Sequence, residues 1–140
     1  MMGRLDKPIV ASLAVFVGGC IGGTLRELCN VLLPSTHFPW GTFVVNLVGA
    51  FALGVLLELK TTARFLRPWL LTALTTGTIG AFTTFSTWIL DILRLSQSSP
   101  SICFVAVVSS LALSLAANVT GRLIVRGHLL RRKPTEKASI

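Results

Sequence analysis

Four stretches of this 140-residue chain contain no Asp, Glu, Lys or Arg: residues 8–25, 28–57, 68–90 and 95–121. A helix needs about 20 apolar residues to cross roughly 30 Å of hydrocarbon, and each stretch comes within tolerance of that length. The second holds a turn cluster, Pro34-Ser35-Thr36-His37-Phe38-Pro39, so its spanning part starts near Gly41. Composition agrees, with 52% hydrophobic and 13% charged residues, too apolar for a soluble domain of this size. The expectation is an all-α integral membrane protein. One domain over residues 1–140 carries four transmembrane helices at approximately 8–33, 41–59, 68–94 and 101–124, followed by a basic C-terminal tail at 125–140.

The N-terminus admits a second reading. Arg4 and Lys7 precede an apolar run, and Val17-Gly18-Gly19-Cys20 resembles a lipoprotein cleavage site. Glycines continue beyond the cysteine and three more spans follow, which favours a retained first helix. Gly18/Gly22 and Gly19/Gly23 form overlapping small-xxx-small pairs, a spacing that lets helix backbones approach closely in lipid. Cys20, Cys29 and Cys103 have no CxxC spacing and read as small buried apolar residues, with neither a disulfide nor a metal–thiolate site. His37 and His128 have no partner at ligand spacing.

Charge placement orients the chain. With both termini on one side, that side carries Arg4, Lys7, Lys60, Arg64, Arg67, Arg122, Arg126, Arg131, Arg132, Lys133 and Lys137, and the other only Arg26 and Arg94. Eleven against two is a positive-inside signal for cytoplasmic termini, placing a multi-pass protein in the cell membrane. The net charge of +8 is then mainly a topology signal. The Arg131-Arg132-Lys133 tail is better read as solvated or lipid-facing than as a nucleic-acid site.

The third span does not look like a lipid-facing helix. Residues 75–87 contain seven hydroxyl side chains in thirteen positions, and Gly77 and Gly80 bracket Thr78-Ile79. The expectation is a helix interrupted at mid-membrane near the glycine pair. Carbonyls freed there must be buried in protein, wetted or bound to a cation. The alternative is a glycine kink whose hydroxyls bond back to their own helix. Asn46, a lone amide within the second span, either joins helices or faces a pathway.

The motifs GTxxxNxxGxFxxG at residues 41–54, GxxGxxTTFSTW at 77–88 and GGxxGGxxRE at 18–27 resemble the Fluc/CrcB fluoride channel family across essentially the whole four-helix region. The resemblance implies two four-helix subunits assembled antiparallel, in dual topology, with two narrow fluoride pores along their interface and passive export of cytoplasmic fluoride that relieves its toxicity. It implies a structural sodium ion at the dimer centre, held by the backbone carbonyls of Gly80 and Thr83. Its pore phenylalanines fall on Phe85 and on Trp88, where phenylalanine is usual. Trp88 keeps a ring edge, adds an indole N–H donor and is larger. Asn46, Ser86 and Thr87 match pore donors, Ser110 is favoured over Ser109 and Ser114 on the fourth helix, and Arg26 matches a vestibule arginine. Fluoride is small and tightly hydrated, and the third and fourth spans are read as holding no carboxylate to repel it.

Two other classes stand beside this one. A small multidrug exporter of the cation/proton type needs a carboxylate in the membrane, for which Glu27, beside Arg26, is the candidate. A non-conducting subunit of a membrane heterodimer leaves the hydroxyl-rich span unexplained. The charge bias itself favours a paralogous pair with an oppositely oriented partner, with the homodimer as the alternative.

Overall fold

The computed structural model describes residues 6–33, 38–62 and 67–131. His37, Arg4, Arg64, Arg132, Lys133 and Lys137 lie outside them. The described chain is all helix, without a strand. Helix α1 is Asp6–Leu32 and α2 is Trp40–Thr62. Helix α3 (residues 68–82) opens as an α-helix at Pro68–Thr72, widens to a π-helix at Ala73–Ile79 and closes with one turn at Gly80–Phe82. Helix α4 is Ser86–Ser98, and α5 is Pro100–Arg131. Pro68 and Pro100 stand where a helix begins and an N–H has no intrahelical acceptor.

Among the described residues, three segments are long and apolar enough to cross a membrane: Pro8–Leu32, Trp40–Thr61 and Pro100–Leu129. Helices α3 and α4 run in series over the same distance. Pro68 lies in a groove with Pro8 at the end where α1 begins, and Asp91 of α4 meets Thr42 at the end where α2 begins. The chain is therefore a multi-pass membrane protein. Large side chains face outward along its length, among them Phe16, Leu13, Phe104 and Leu115 at 60–71% exposure. Lipid or another apolar helix can cover such a surface; water cannot do so without cost.

Helix α1 packs on α3 through glycine. A Cβ on Gly18 would stand 2.7 Å from the Ala73 carbonyl oxygen, and one on Gly22 only 2.9 Å from the Thr78 carbonyl carbon. Both glycines are spent inside the protomer, whereas Gly19 and Gly23 have nothing within 4 Å of an added Cβ. On the other side α2 packs on α5, where Asn118 Nδ2 donates to the Ala50 carbonyl at 3.0 Å.

Several sequence expectations change. The interruption falls at residues 83–85, not at the glycine pair. Gly80 has ordinary helical angles, φ −61° and ψ −35°, and Gly77 serves close packing, since its Cβ would lie 2.6 Å from the Val15 carbonyl oxygen. Helix α5 continues to Arg131, so the first seven residues of the expected tail are helical. Cys20, read as buried, is exposed on α1.

Candidate functional site

The break between α3 and α4 is held by one side chain. Asn46 Oδ1 accepts the Thr84 backbone N–H at 2.9 Å, and Asn46 Nδ2 donates to the Thr84 carbonyl at 3.0 Å. The amide thus supplies both bonds that this residue loses by leaving the helix. Thr83, at φ −76° and ψ 156°, is already extended. Thr84 Oγ1 then donates to Thr87 Oγ1 at 3.0 Å and accepts the Thr87 N–H at 3.2 Å, which caps the new helix.

These bonds redirect donors that a continuous helix would use. The Thr84 N–H, normal partner of the Gly80 carbonyl, goes to Asn46, and the Thr87 N–H, normal partner of the Thr83 carbonyl, goes to Thr84 Oγ1. Gly80 is exposed and Thr83 half-buried. Two backbone oxygens relieved of their helical donors suit a hard cation that binds oxygen. One protomer supplies a pair of them, and in their chemistry the residues expected from the sequence to hold sodium suit such a cation.

The hydroxyl excess of this span divides into two parts. Thr72, Thr75 and Thr83 donate to carbonyls four residues back in their own helix at 2.8–3.0 Å, and Thr78 reaches the Ala73 carbonyl five residues back at 3.4 Å. Self-satisfaction therefore accounts for much of the polarity. Thr84, Ser86 and Thr87 stand at the break itself, and Thr76 is exposed on α3.

A cavity of about 340 Å³ opens beside the break. Of the residues expected at the site, Asn46, Thr83, Phe85, Trp88 and Ser110 line it, joined by Thr84 and Ser114. Phe85 is 72% exposed and Trp88 only 8%. Their rings stack with centroids 5.8 Å apart and planes 28° apart. The Trp88 indole N–H donates to Ser110 Oγ at 3.2 Å, linking α4 to α5. Ser110 and Ser114 both line the cavity, whereas Ser109 bonds back to the Ala106 carbonyl at 3.3 Å. Ser86, Thr87 and Gly80 lie next to the lining without forming it. Arg26 is half-buried in α1, does not line the cavity, and makes no salt bridge among the described residues.

Carboxylates were undercounted in the sequence. Asp91 lies one residue beyond the charge-free window and inside the expected third span, yet it is 7% exposed. The Thr42 hydroxyl donates to it at 2.7 Å, and Arg94 stands 3.9 Å away. Glu58 is buried near the end of α2, 3.4 Å from Arg122 Nε. Glu27, the acid singled out from sequence, is exposed and forms no ion pair with Arg26 among the described residues. The clue to Asp91 was its place three residues after Trp88, on the inward face of a half-helix.

Comparison with known proteins gives consistent relatives. The chain is 41% identical over 111 residues to fluoride-specific ion channel FluC 2 of Ligilactobacillus salivarius (strain UCC118), covering 78% of this chain and 83% of that one. It is 38% identical over 122 residues to fluoride-specific ion channel FluC of Rhizobium etli, covering 84% and 98%. Fluoride-specific ion channel FluC of Ruegeria pomeroyi is 37% identical over 121 residues, covering 86% and 94%. The sequence profile described as CrcB-like protein, Camphor Resistance (CrcB), matches residues 13–122, and this chain belongs to that family.

Proposed function

We propose that this chain forms a fluoride-selective ion channel of the cell membrane that lets cytoplasmic fluoride leave passively and so relieves its toxicity. The observation that carries the reading is the convergence of Asn46, Phe85, Trp88 and Ser110 on one cavity beside the helix break, in a chain whose relatives are named fluoride-specific channels. A bare fluoride ion must trade its hydration shell for donors at close range. Asn46 Nδ2 has two protons, and the carbonyl of Thr84 takes one. Stacking occupies ring faces and leaves edges, the electropositive part of an aromatic ring. Ser110 adds a hydroxyl, Ser86 and Thr87 continue the polar surface, and Arg26 supplies a cation toward one mouth.

The cavity lies on an outward face, with Phe85 and Leu111 72% and 63% exposed. It becomes a closed path when a second four-helix subunit covers it. In an antiparallel pair, the Gly80 and Thr83 carbonyls of both subunits would hold a structural sodium ion, whose charge would satisfy oxygen lone pairs left without donors and which need not move. The charge bias of eleven to two sets the termini in the cytoplasm and favours a partner chain of opposite orientation over self-pairing. Relatives with numbered names, such as FluC 2 of Ligilactobacillus salivarius and FluC 1 of Staphylococcus aureus, fit a paralogous pair.

The exporter reading fares worse. A cation/proton antiporter needs an acid in its transport cavity, and neither Asp91 nor Glu58 lines this one. Each already has a partner, Thr42 for the first and Arg122 for the second. The test is ion release from sealed liposomes holding the purified chain, alone and with its candidate partner. Rapid fluoride release with chloride retained supports the channel. Proton-coupled uptake of a lipophilic cation without fluoride release overturns it.

A further inference from the structure

A serine in a helix ordinarily folds its hydroxyl back onto a carbonyl one turn earlier, which turns lone pairs outward. Ser109 does this, donating to the Ala106 carbonyl at 3.3 Å. Its neighbour Ser110 does not. Ser110 Oγ instead accepts the Trp88 indole N–H at 3.2 Å, and no acceptor among the described residues takes its own proton. An indole nitrogen can only donate. The serine oxygen therefore fills one lone pair from the α4 side, and its proton is directed away from that N–H. Ser110 lines the cavity together with Ser114, one turn further on.

We infer that Trp88 is a positioning residue that fixes the polarity of Ser110, so that the hydroxyl presents a proton rather than a lone pair to an anion in the cavity. The inference rests on the fluoride reading and adds the direction of the donor chain, from Trp88 N–H to Ser110 O–H to anion. Three observations support the geometry. Trp88 is 92% shielded within its own protomer, at 8% exposure. Its ring plane is held against Phe85, with the planes 28° apart. The bond crosses between two helices, so neither partner is set by its own backbone alone. A donor bond into the serine oxygen also polarises its O–H and strengthens the next bond in line. Phenylalanine at the same position has no N–H, and the hydroxyl would be free to turn back into its helix. The larger ring of this chain is then a substitution that selects for an anion as well as one that fills space.

The test compares fluoride and chloride release from liposomes for the wild type, Trp88→Phe, Ser110→Ala and the double variant, each with the partner subunit that supports wild-type release. Trp88→Phe keeps the stacking on Phe85 and is expected to lower fluoride release about fivefold, the factor for one ordinary hydrogen bond. The double variant is expected to be no slower than Ser110→Ala alone, because the two residues act through one group. Ser110→Thr is expected to exceed Ser110→Ala, since it restores the hydroxyl. In NMR spectra of the full chain, the Trp88 indole N–H resonance is expected to move in Ser110→Ala, which reads the bond without reference to conduction. Wild-type release with additive losses in the double variant, undiminished release in Trp88→Phe, or an unmoved indole resonance overturns the inference. A wild type that releases no fluoride while the resonance moves overturns the channel reading instead, and with it the role of the bond in conduction.

Discussion

Two halves of this bundle are joined by different means. Where α1 meets α3, no side-chain hydrogen bond crosses among the described residues; Ser12 and Thr24 of α1 bond to their own helix, and contact is made by Gly18 and Gly22 against the backbone of the π-helical stretch. Among α2, the break, α4 and α5, polar side chains cross repeatedly: Asn46 to Thr84, Thr42 to Asp91, Asn118 to Ala50 and Trp88 to Ser110. One seam is matched by shape alone; the other is matched by shape, with Gly54 against the Asn118 backbone and Gly121 against that of Phe51, and by donors and acceptors as well. In lipid, where apolar burial gives helices little reason to associate, both means are available, but they fail differently. Added volume breaks either seam, whereas lost polarity breaks only the second.

The largest effect is expected at Gly22. Gly22→Leu forces a branched side chain into the Thr78 carbonyl, and since overpacking costs about 1–3 kcal/mol even where a core can give way, backbone contact here should prevent assembly. Size-exclusion chromatography in detergent should show loss of the monodisperse species, and a well-behaved variant would contradict the close packing. Next comes Asn46→Leu, which leaves the Thr84 N–H and C=O without partners, at about 1–3 kcal/mol each. Its thermal midpoint should fall well below that of the wild type, by more than Asn118→Leu, which removes a single bond to an intact helix worth about 0.6–2 kcal/mol. The smallest is Gly19→Ala. With open space around it, the change should alter the stability of the isolated protomer by less than about 0.5 kcal/mol. A large loss confined to the assembled form would show that a second chain packs on that face.

Much of this was legible in the sequence, because hydropathy and charge respond to the membrane directly. The all-helical membrane class follows from window lengths, whereas Asn46 and Ser110 are singled out by motif resemblance, spacing alone leaving Asn46 open between joining helices and facing a pathway. The position of the break did not. Glycine was read as the breaker, but Gly77 and Gly80 remain helical, because lost side-chain restraint does not by itself interrupt a helix. Thr83 to Phe85 leave it where the Asn46 amide on another helix competes for the backbone. That competition depends on the relative height of two helices, which a single sequence does not state. Asp91 was overlooked for a related reason: a charge at the edge of an apolar window looks like an interface residue until α2 brings Thr42 to it. The two overlapping glycine pairs on α1 look alike in sequence, and only the direction of α3 separates Gly18 and Gly22 from their idle neighbours.

The wide turns at Ala73–Ile79 have a consequence for everything downstream. Each α-helical residue advances the side-chain direction by about 100°, and a π-turn accommodates one residue more than an α-turn over the same hydrogen-bonded span. The segment therefore works as a phase shifter, setting the angle at which residues 83–88 leave α3. With a strictly α-helical stretch of equal length, the azimuth of Thr84 relative to α2 and of Trp88 relative to α5 would be different. The rotational offset introduced before the break is thus what brings both residues into register with partners on neighbouring helices.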